Sequence, residues 1–255
     1  MSAAYDNLLR RCRSLEPVAT AVAYPCEATA LTSVVEAAKA GLIAPILVGP
    51  RDQFRDVAAT AGLNIDDYPI EDAEDAVGAA AKAVALVRAA KAEVLMKGSL
   101  HTDELMAAVV PSATGLRTGR RISHAFVMAL PTYPKPLIVT DGAINIAPTL
   151  EDKRDICQNA IDLAHSLGRD IPKVAILSAV ETVTTKIPST IEAAALCKMA
   201  DRGQITGALL DGPLAMDNAI SAEAAKTKAI TSAVAGDADI LVAPDLEAPL
   251  GSRLH

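Results

Sequence analysis

The sequence predicts an α/β protein with two α/β domains built on mostly parallel sheets. Three observations carry that prediction. Short β-like runs alternate with long alanine-rich helical stretches, the pattern of repeated strand–helix–strand units. Most of the β-like runs are continuously apolar rather than alternating, as strands covered on both faces are. One proline-rich break, Pro131-Thr132-Tyr133-Pro134-Lys135-Pro136, falls mid-chain between two sets of such units.

Taken in order, a strand is expected over 18–23 and a helix over 29–40, ended by Gly41. A strand over 45–49 precedes a helix over 72–90, and a strand over 93–97 ends on Lys97-Gly98-Ser99, after which another helix begins. Strands over 123–130 and 137–140 flank the prolines, and a helix over 150–167 stops at Gly168. A strand over 173–177 leads to a helix over 190–202 that stops at Gly203. There, Ser189 after Pro188, with Glu192 three residues on, forms a capping-box pattern. Strands over 205–211 and 239–243 bracket a helix over 222–230. Glycine just past a periodic stretch is a helix stop signal. Proline holds itself and its predecessor extended, so no helix crosses 131–136. The boundary is therefore set there, giving domains 1–133 and 134–245 and an atypical tail, 246–255.

The 255 residues are ample for a core without disulfides or metals. Alanine supplies 51 of them, while aromatics make up 2% with no Trp, so stacking platforms for single-stranded nucleic acid are excluded. The net charge of −7 leaves no basic field for nucleic acid or an anionic membrane, and any anionic ligand must be held by local donors. No apolar run approaches the roughly 18 residues a spanning helix needs. The N-terminus lacks the basic-then-apolar layout of a signal peptide. Cys12, Cys26, Cys157 and Cys197 are widely spaced, as are His101, His124, His165 and His255. That spacing argues for no metal, a reduced cytoplasmic chain and cysteines acting as small buried hydrophobes. The fourteen glycines never occur two apart, which excludes a Gly-x-Gly-x-x-Gly fingerprint. Walker, nucleophile-elbow and His-Glu-x-x-His patterns are absent too.

Polar residues gather instead at the C-terminal ends of the expected strands, where open α/β sheets bind ligands. Lys97, Gly98, Ser99, His101 and Thr102 combine small residues, a cation and a following helix N-terminus suited to phosphate. An ordinary strand–helix turn with a Thr or Asp cap reads the same way. Arg117, Arg120 and Arg121 put three guanidinium groups within five residues, suited to bidentate phosphate binding or to a solvated basic turn. Asp141 and Asn145 follow a strand and can orient a ligand or close an Asx-turn. Asp211 and Asp217 flank Gly212-Pro213, as lining of a cleft or as turn chemistry. Ser178, Glu181, Thr184, Thr185 and Lys186 form a fifth polar strand end. His101 and His124 are acid–base candidates or capping and core residues.

These clusters resemble the phosphate acetyl/butyryltransferase family, in its alphaproteobacterial-type branch often fused to an enoyl-CoA hydratase domain. The resemblance rests on LMKGSLHTDELM (95–106), TGRRISHAFVMALP (118–131), the run from Thr140 to Gly168, the run from Pro172 to Ser221, and VAGDADILVAPDLEA (234–248). It implies a cytoplasmic, bacterial phosphate acyltransferase converting acyl-CoA and phosphate to acyl phosphate and CoA, with acetyl phosphate as one product. It implies no cofactor beyond these substrates. It also implies an isocitrate/isopropylmalate dehydrogenase-like fold with an interdomain cleft, and a homodimer through the second domain. Lys97, Gly98, Ser99, His101, Thr102, Arg117, Arg120, Arg121, Asp141, Asn145, Asp211 and Asp217 are then expected to bind substrate. Two departures stand out. Family members continue for several dozen residues past the segment here numbered 244–248, with a Ser/Arg/Asp-containing stretch that carries much of the catalytic machinery. No catalytic residue can therefore be assigned, and low activity is expected. Met106 and Ala107 also stand where other branches carry Arg. The alternatives are a non-catalytic acyl-CoA- or phosphate-binding homologue and an isopropylmalate-type dehydrogenase.

Overall fold

The protein is described here by a computed structural model covering residues 3–246. The chain divides into two units, one of residues 9–119 and the other made of the first eight residues together with the chain from Arg120 onward. The expected division at 133/134 is thus displaced to 119/120. Strands β5 (Ala125–Met128) and β6 (Leu137–Thr140) pair antiparallel, and the prolines of 131–136 fall between them. The proline run breaks helices as expected, but it turns the chain within one sheet instead of linking two domains. The expected tail lies outside the described residues except at Leu246.

The unit of residues 9–119 begins within α1 (Ala3–Cys12) and is built on β1 (Val18–Ala23), β2 (Ile43–Val48), β3 (Ile70–Glu71) and β4 (Val94–Lys97). All four strands are parallel, in the order β3-β2-β1-β4. Helices α2 (Ala28–Lys39), α3 (Arg51–Ala61), α4 (Ala76–Arg88) and α5 (Thr102–Val109) connect or follow them. Val22 and Leu47 pack into a cluster with Leu31, Val34 and Val35 of α2 and Phe54 of α3. Helix α4 buries Ala79, Ala80, Ala83 and Val84 and packs on β1, β2 and β4. Small side chains allow that close seating, which gives the alanine excess a use. Asp75 caps α4 by accepting the Gly78 N–H at 2.7 Å, so this helix starts four residues later than expected. Sequence reading missed α3 because only Phe54 and Ala58, four apart, are buried along it.

The second unit has the sheet order β5-β6-β9-β7-β8, with β7 (Lys173–Leu177), β8 (Leu209–Leu214) and β9 (Ile240–Val242). Every pairing except β5 with β6 is parallel. Helices α6 (Leu150–Ser166) and α7 (Pro188–Asp201) bury Ile156, Cys157, Ile161, Ala193 and Leu196 in a cluster that includes Val174, Ile176 and Ile240 of the strands. The short helices α8 (Met216–Ile220) and α9 (Ala222–Thr227) follow β8. Gly41, Gly168 and Gly203, the expected helix stops, take φ values between +72° and +86°.

Two local expectations are corrected. Helix α7 begins at Pro188 with Ile187 as its cap residue and no side-chain cap. Proline suits the first helical position by itself. Ser189 hydrogen-bonds Ser178 at 2.8 Å, and Glu192 pairs with the buried Lys153 of α6. The strand expected over 205–211 runs over 209–214 instead, through Gly212-Pro213. β8 is an edge strand, where a proline costs no ladder bond if its nitrogen side is unpaired.

Burial pushes the Cys26 thiol up to about 11 and the Cys157 and Cys197 thiols up to about 12. The thiolate is the reactive form. In the native protein at pH 8, a disulfide-exchange reagent is therefore expected to label Cys12 first, with the other three released only on unfolding. Rapid native labelling of Cys157 would contradict this packing.

Candidate functional site

In the first sheet the chain runs outward from β1 through β2 to β3, then crosses to β4 on the other side of β1. The order reverses between β1 and β4, and open parallel sheets form their binding crevice beyond the strand ends at such a reversal. Two loops meet there: residues 24–27 after β1 and residues 98–101 after β4. Three hydrogen bonds tie them together. The Gly98 N–H donates to the Ala23 carbonyl and the Ser99 N–H to the Tyr24 carbonyl, both at 2.8 Å. The Glu27 N–H donates to Ser99 Oγ at 3.0 Å. A Cβ on Gly98 would lie 2.5 Å from the Ala23 carbonyl oxygen and 2.6 Å from the Pro25 nitrogen. Glycine is needed here for close approach.

Lys97 folds its ammonium back over this turn, donating to the Leu100 carbonyl at 2.8 Å and the Gly98 carbonyl at 3.2 Å. His101, not Thr or Asp, is the cap residue of α5. Its N–H donates to Glu104 Oε2 at 2.8 Å, and Thr102 is the first helical residue. Helices α2 and α5 both begin at this edge, and Glu27 provides α2 with no side-chain cap. On the β1 side, Tyr24 takes φ +55°, which is uncommon for an aromatic residue. Burial and the neighbouring Cys26 raise its phenol above the usual range.

The arginine run is divided. Arg117 is exposed and lies in the same unit as the 97–102 turn. Arg120 and Arg121 open the second unit and are drawn to α6. Arg120 Nη1 donates to Asp162 Oδ2 at 2.6 Å and to Asn159 Oδ1 at 3.3 Å. The Arg121 N–H donates to Asp155 Oδ2 at 3.0 Å, and its Nε donates to Asn145 Oδ1 at 2.7 Å. Asp152, Asp155, Asn159 and Asp162 follow a 3-4-3 spacing that puts them on one helix face. Burial raises the Asp155 and Asp162 carboxyls, but the Arg121 N–H with the Arg154 side chain at Asp155, and Arg120 with Gln158 at Asp162, together with the charges of these arginines outweigh it and leave both below the usual range. The sequence reading fixed on the arginines and overlooked this stripe, whose spacing was the available signal.

Asp141 is buried and its carboxylate closes a turn. Oδ1 accepts the Ala143 and Ile144 N–H groups at 2.9 Å, and Oδ2 accepts the Asn145 N–H at 3.2 Å and its Nδ2 at 2.5 Å. Asn145 Nδ2 also donates to the Ile122 carbonyl at 2.9 Å. Both residues thus serve the Asx-turn reading and join the Arg121 segment to β6. Asp211 lies inside β8 and accepts its neighbour Gly212 N–H at 2.8 Å. Asp217 is exposed on α8 and accepts the Asn218 N–H at 2.9 Å. The two lie six residues apart and do not form a common cluster. His124 stacks edge-on against Phe126 with ring centroids 4.4 Å apart. Glu181 is held by Lys228 at 2.7 Å and by Asn218. A cavity of about 660 Å³ lies within the second unit, lined by Met128, Leu130, Val139, Leu177 and Leu241 with Ser178 and Ser189 at its polar side.

The structure therefore brings Lys97, Gly98, Ser99, His101 and Thr102 together, with Tyr24, Cys26 and Glu27 as partners the sequence did not disclose. Within the second unit, Asp141, Asn145, Arg120 and Arg121 gather around α6. Among the described residues no group of three or more His, Cys, Asp and Glu could hold a metal ion, and no helix is long and apolar enough to cross a membrane. Gly98→Ala is expected to lower stability by about 1–3 kcal/mol, as overpacking does, because the atoms it meets are backbone. Urea unfolding of the variant checks this, and wild-type stability would contradict the close approach.

Residues 70–250 match the family described as phosphate acetyl/butaryl transferase. A phosphate acetyltransferase of Rhizobium meliloti is 62% identical over 244 residues, covering 96% of this chain and 77% of that protein. A phosphate butyryltransferase of Clostridium beijerinckii is 41% identical over 248 residues, covering 97% of this chain and 82% of its own. The crystal structure of a branched-chain phosphotransacylase from Enterococcus faecalis V583 superposes with a TM-score of 0.76 at 30% identity, covering 90% of this chain and 80% of that one. The match takes in the 97–102 turn, the arginine run and the whole second sheet, and identity at this level extends over almost all of the chain, so the chain belongs to the phosphate acetyl/butaryl transferase family.

Proposed function

We propose that this chain transfers an acyl group between coenzyme A and inorganic phosphate, releasing acyl phosphate and CoA, and the reverse. The observation that carries the reading is the family match, which spans the β4 turn and the second unit together. The chemistry asks for few groups. A phosphate oxygen attacks the thioester carbonyl carbon, the C–S bond breaks, and CoA leaves as a thiolate that takes up a proton. In reverse, the thiol must first lose its proton. The tetrahedral oxyanion needs fixed donors, and phosphate needs cations or helix N-terminal N–H groups.

The crevice beyond β1 and β4 supplies the phosphate side. Gly98 lets the β4 turn seat against the backbone that leaves β1, α5 begins at Thr102, Lys97 places an ammonium on the turn, and Arg117 belongs to the same unit. His101 stands exposed at the start of α5. Acyl transfer of this kind uses no metal or redox cofactor. The same proposal places the chain in the cytoplasm and makes it a homodimer through the second unit, where Phe126 and Val127 on the edge strand β5 are 50% and 39% exposed. A second reading, binding without turnover, is favoured by Met106 and Ala107 where resembling branches carry Arg.

Release of CoA thiol from acetyl-CoA or butyryl-CoA separates the two. Phosphate-dependent release, abolished when phosphate is omitted, supports the acyltransferase reading, even at the low rate the sequence leads one to expect. Calorimetric CoA binding with no release supports the second reading, and neither binding nor release would contradict both.

A further inference from the structure

Of the three hydrogen bonds that join the β4 turn to the β1 loop, two run from backbone to backbone and would form with any side chain at those positions. The third uses the Ser99 hydroxyl, which accepts the N–H of Glu27 at 3.0 Å. Glu27 is the cap residue of α2, and Ser99 precedes α5 by three residues. The bond reaches across 72 positions in sequence. It fixes the start of one helix against the turn that opens the other. The partner loop leaves little slack of its own. Tyr24 sits at φ +55°, its carbonyl takes both the Ser99 and the Cys26 N–H, and Glu27 follows directly.

We infer that Ser99 is a positioning residue for phosphate binding: through Glu27 it holds the 97–102 turn in its binding geometry, without itself being the phosphate ligand. The inference rests on the proposed acyltransferase reading for its ligand, but its structural half stands apart from turnover. An alanine here leaves both backbone bonds in place, so the turn survives and its register loosens. A threonine keeps the hydroxyl and the bond. Sequence reading placed Ser99 among the ligands because small polar residues at a strand end look alike whether they face a ligand or a neighbouring loop.

The test compares the wild type with Ser99→Ala and Ser99→Thr, all shown to be folded by circular dichroism. Amide hydrogen exchange is followed over residues 27–31 and 99–105, with and without inorganic phosphate, and KM for phosphate is measured alongside kcat. In Ser99→Ala, exchange in both segments is expected to rise about two- to tenfold, the span that one hydrogen bond corresponds to. KM for phosphate is expected to rise by a similar factor with kcat within about twofold, and Ser99→Thr to restore both. Unchanged exchange overturns the inference. So does faster exchange with an unaltered KM, which marks a purely structural bond. A wild type without turnover defeats the acyltransferase reading instead. In that case, phosphate-induced protection of residues 99–105 that is lost in Ser99→Ala still supports the inference, and absence of protection in the wild type overturns it.

Discussion

Gly98 presses its Cα against the backbone that leaves β1, so closely that one added carbon would meet the Ala23 carbonyl at 2.5 Å. From that contact the rest of the candidate site follows. It brings the Ser99 N–H to the Tyr24 carbonyl and Ser99 Oγ to the Glu27 N–H. It also places the starts of α2 and α5 at the same sheet edge, where the strand order reverses. The Lys97 ammonium completes the turn by bonding the carbonyls of residues 98 and 100.

In a chain with a net charge of −7, the fate of each cation matters. The second unit consumes several. Arg120 and Arg121 meet the carboxylate face of α6. At the N-terminal ends of the central strands β6, β7 and β9, Lys135 and Lys173 meet Asp237 at 2.8 and 2.6 Å, and Lys135 and Arg169 meet Asp239 at 2.9 and 3.3 Å. The Lys135 and Lys173 bonds hold the Asp237 carboxyl below the usual range. Tyr133, pushed up to about 12 by burial and by these aspartates, donates to the Ala238 carbonyl at 2.6 Å. These groups brace the sheet, so the proposed phosphate site draws on backbone donors, Lys97 and Arg117 instead. An acidic protein can hold phosphate in this way because the field that matters is local.

Much of this architecture was legible. Strands β1, β6 and β7 fall at the expected residues because each is a short, largely apolar run without period-2 alternation. The glycine stops hold because positive φ is cheap only for glycine. What failed was decided by tertiary context. Gly212-Pro213 reads as a turn in isolation and becomes strand only because β8 lies at an edge. The proline run reads as a linker until β5 folds back on β6. At the site, residue types near 97–102 were found from their position after a strand, but their roles were not. Ser99 and Asp141 are both polar, small and at strand ends. One turns out to hold a loop 72 positions away, the other its own turn. Nothing local distinguishes the two, because the partner atoms come from elsewhere in the chain or from backbone N–H groups that every residue carries.

The proposed phosphate site is the β1–β4 crevice and not the arginine-rich start of the second unit. Titration of inorganic phosphate into the isotope-labelled protein, followed by amide chemical shifts, tests it directly. The account predicts saturable shifts of the Glu27, Ser99, Thr102, Asp103 and Glu104 amides, with Arg121, Ile144 and Asn145 unmoved. Shifts confined to Arg120, Arg121 and the first turn of α6 would contradict it.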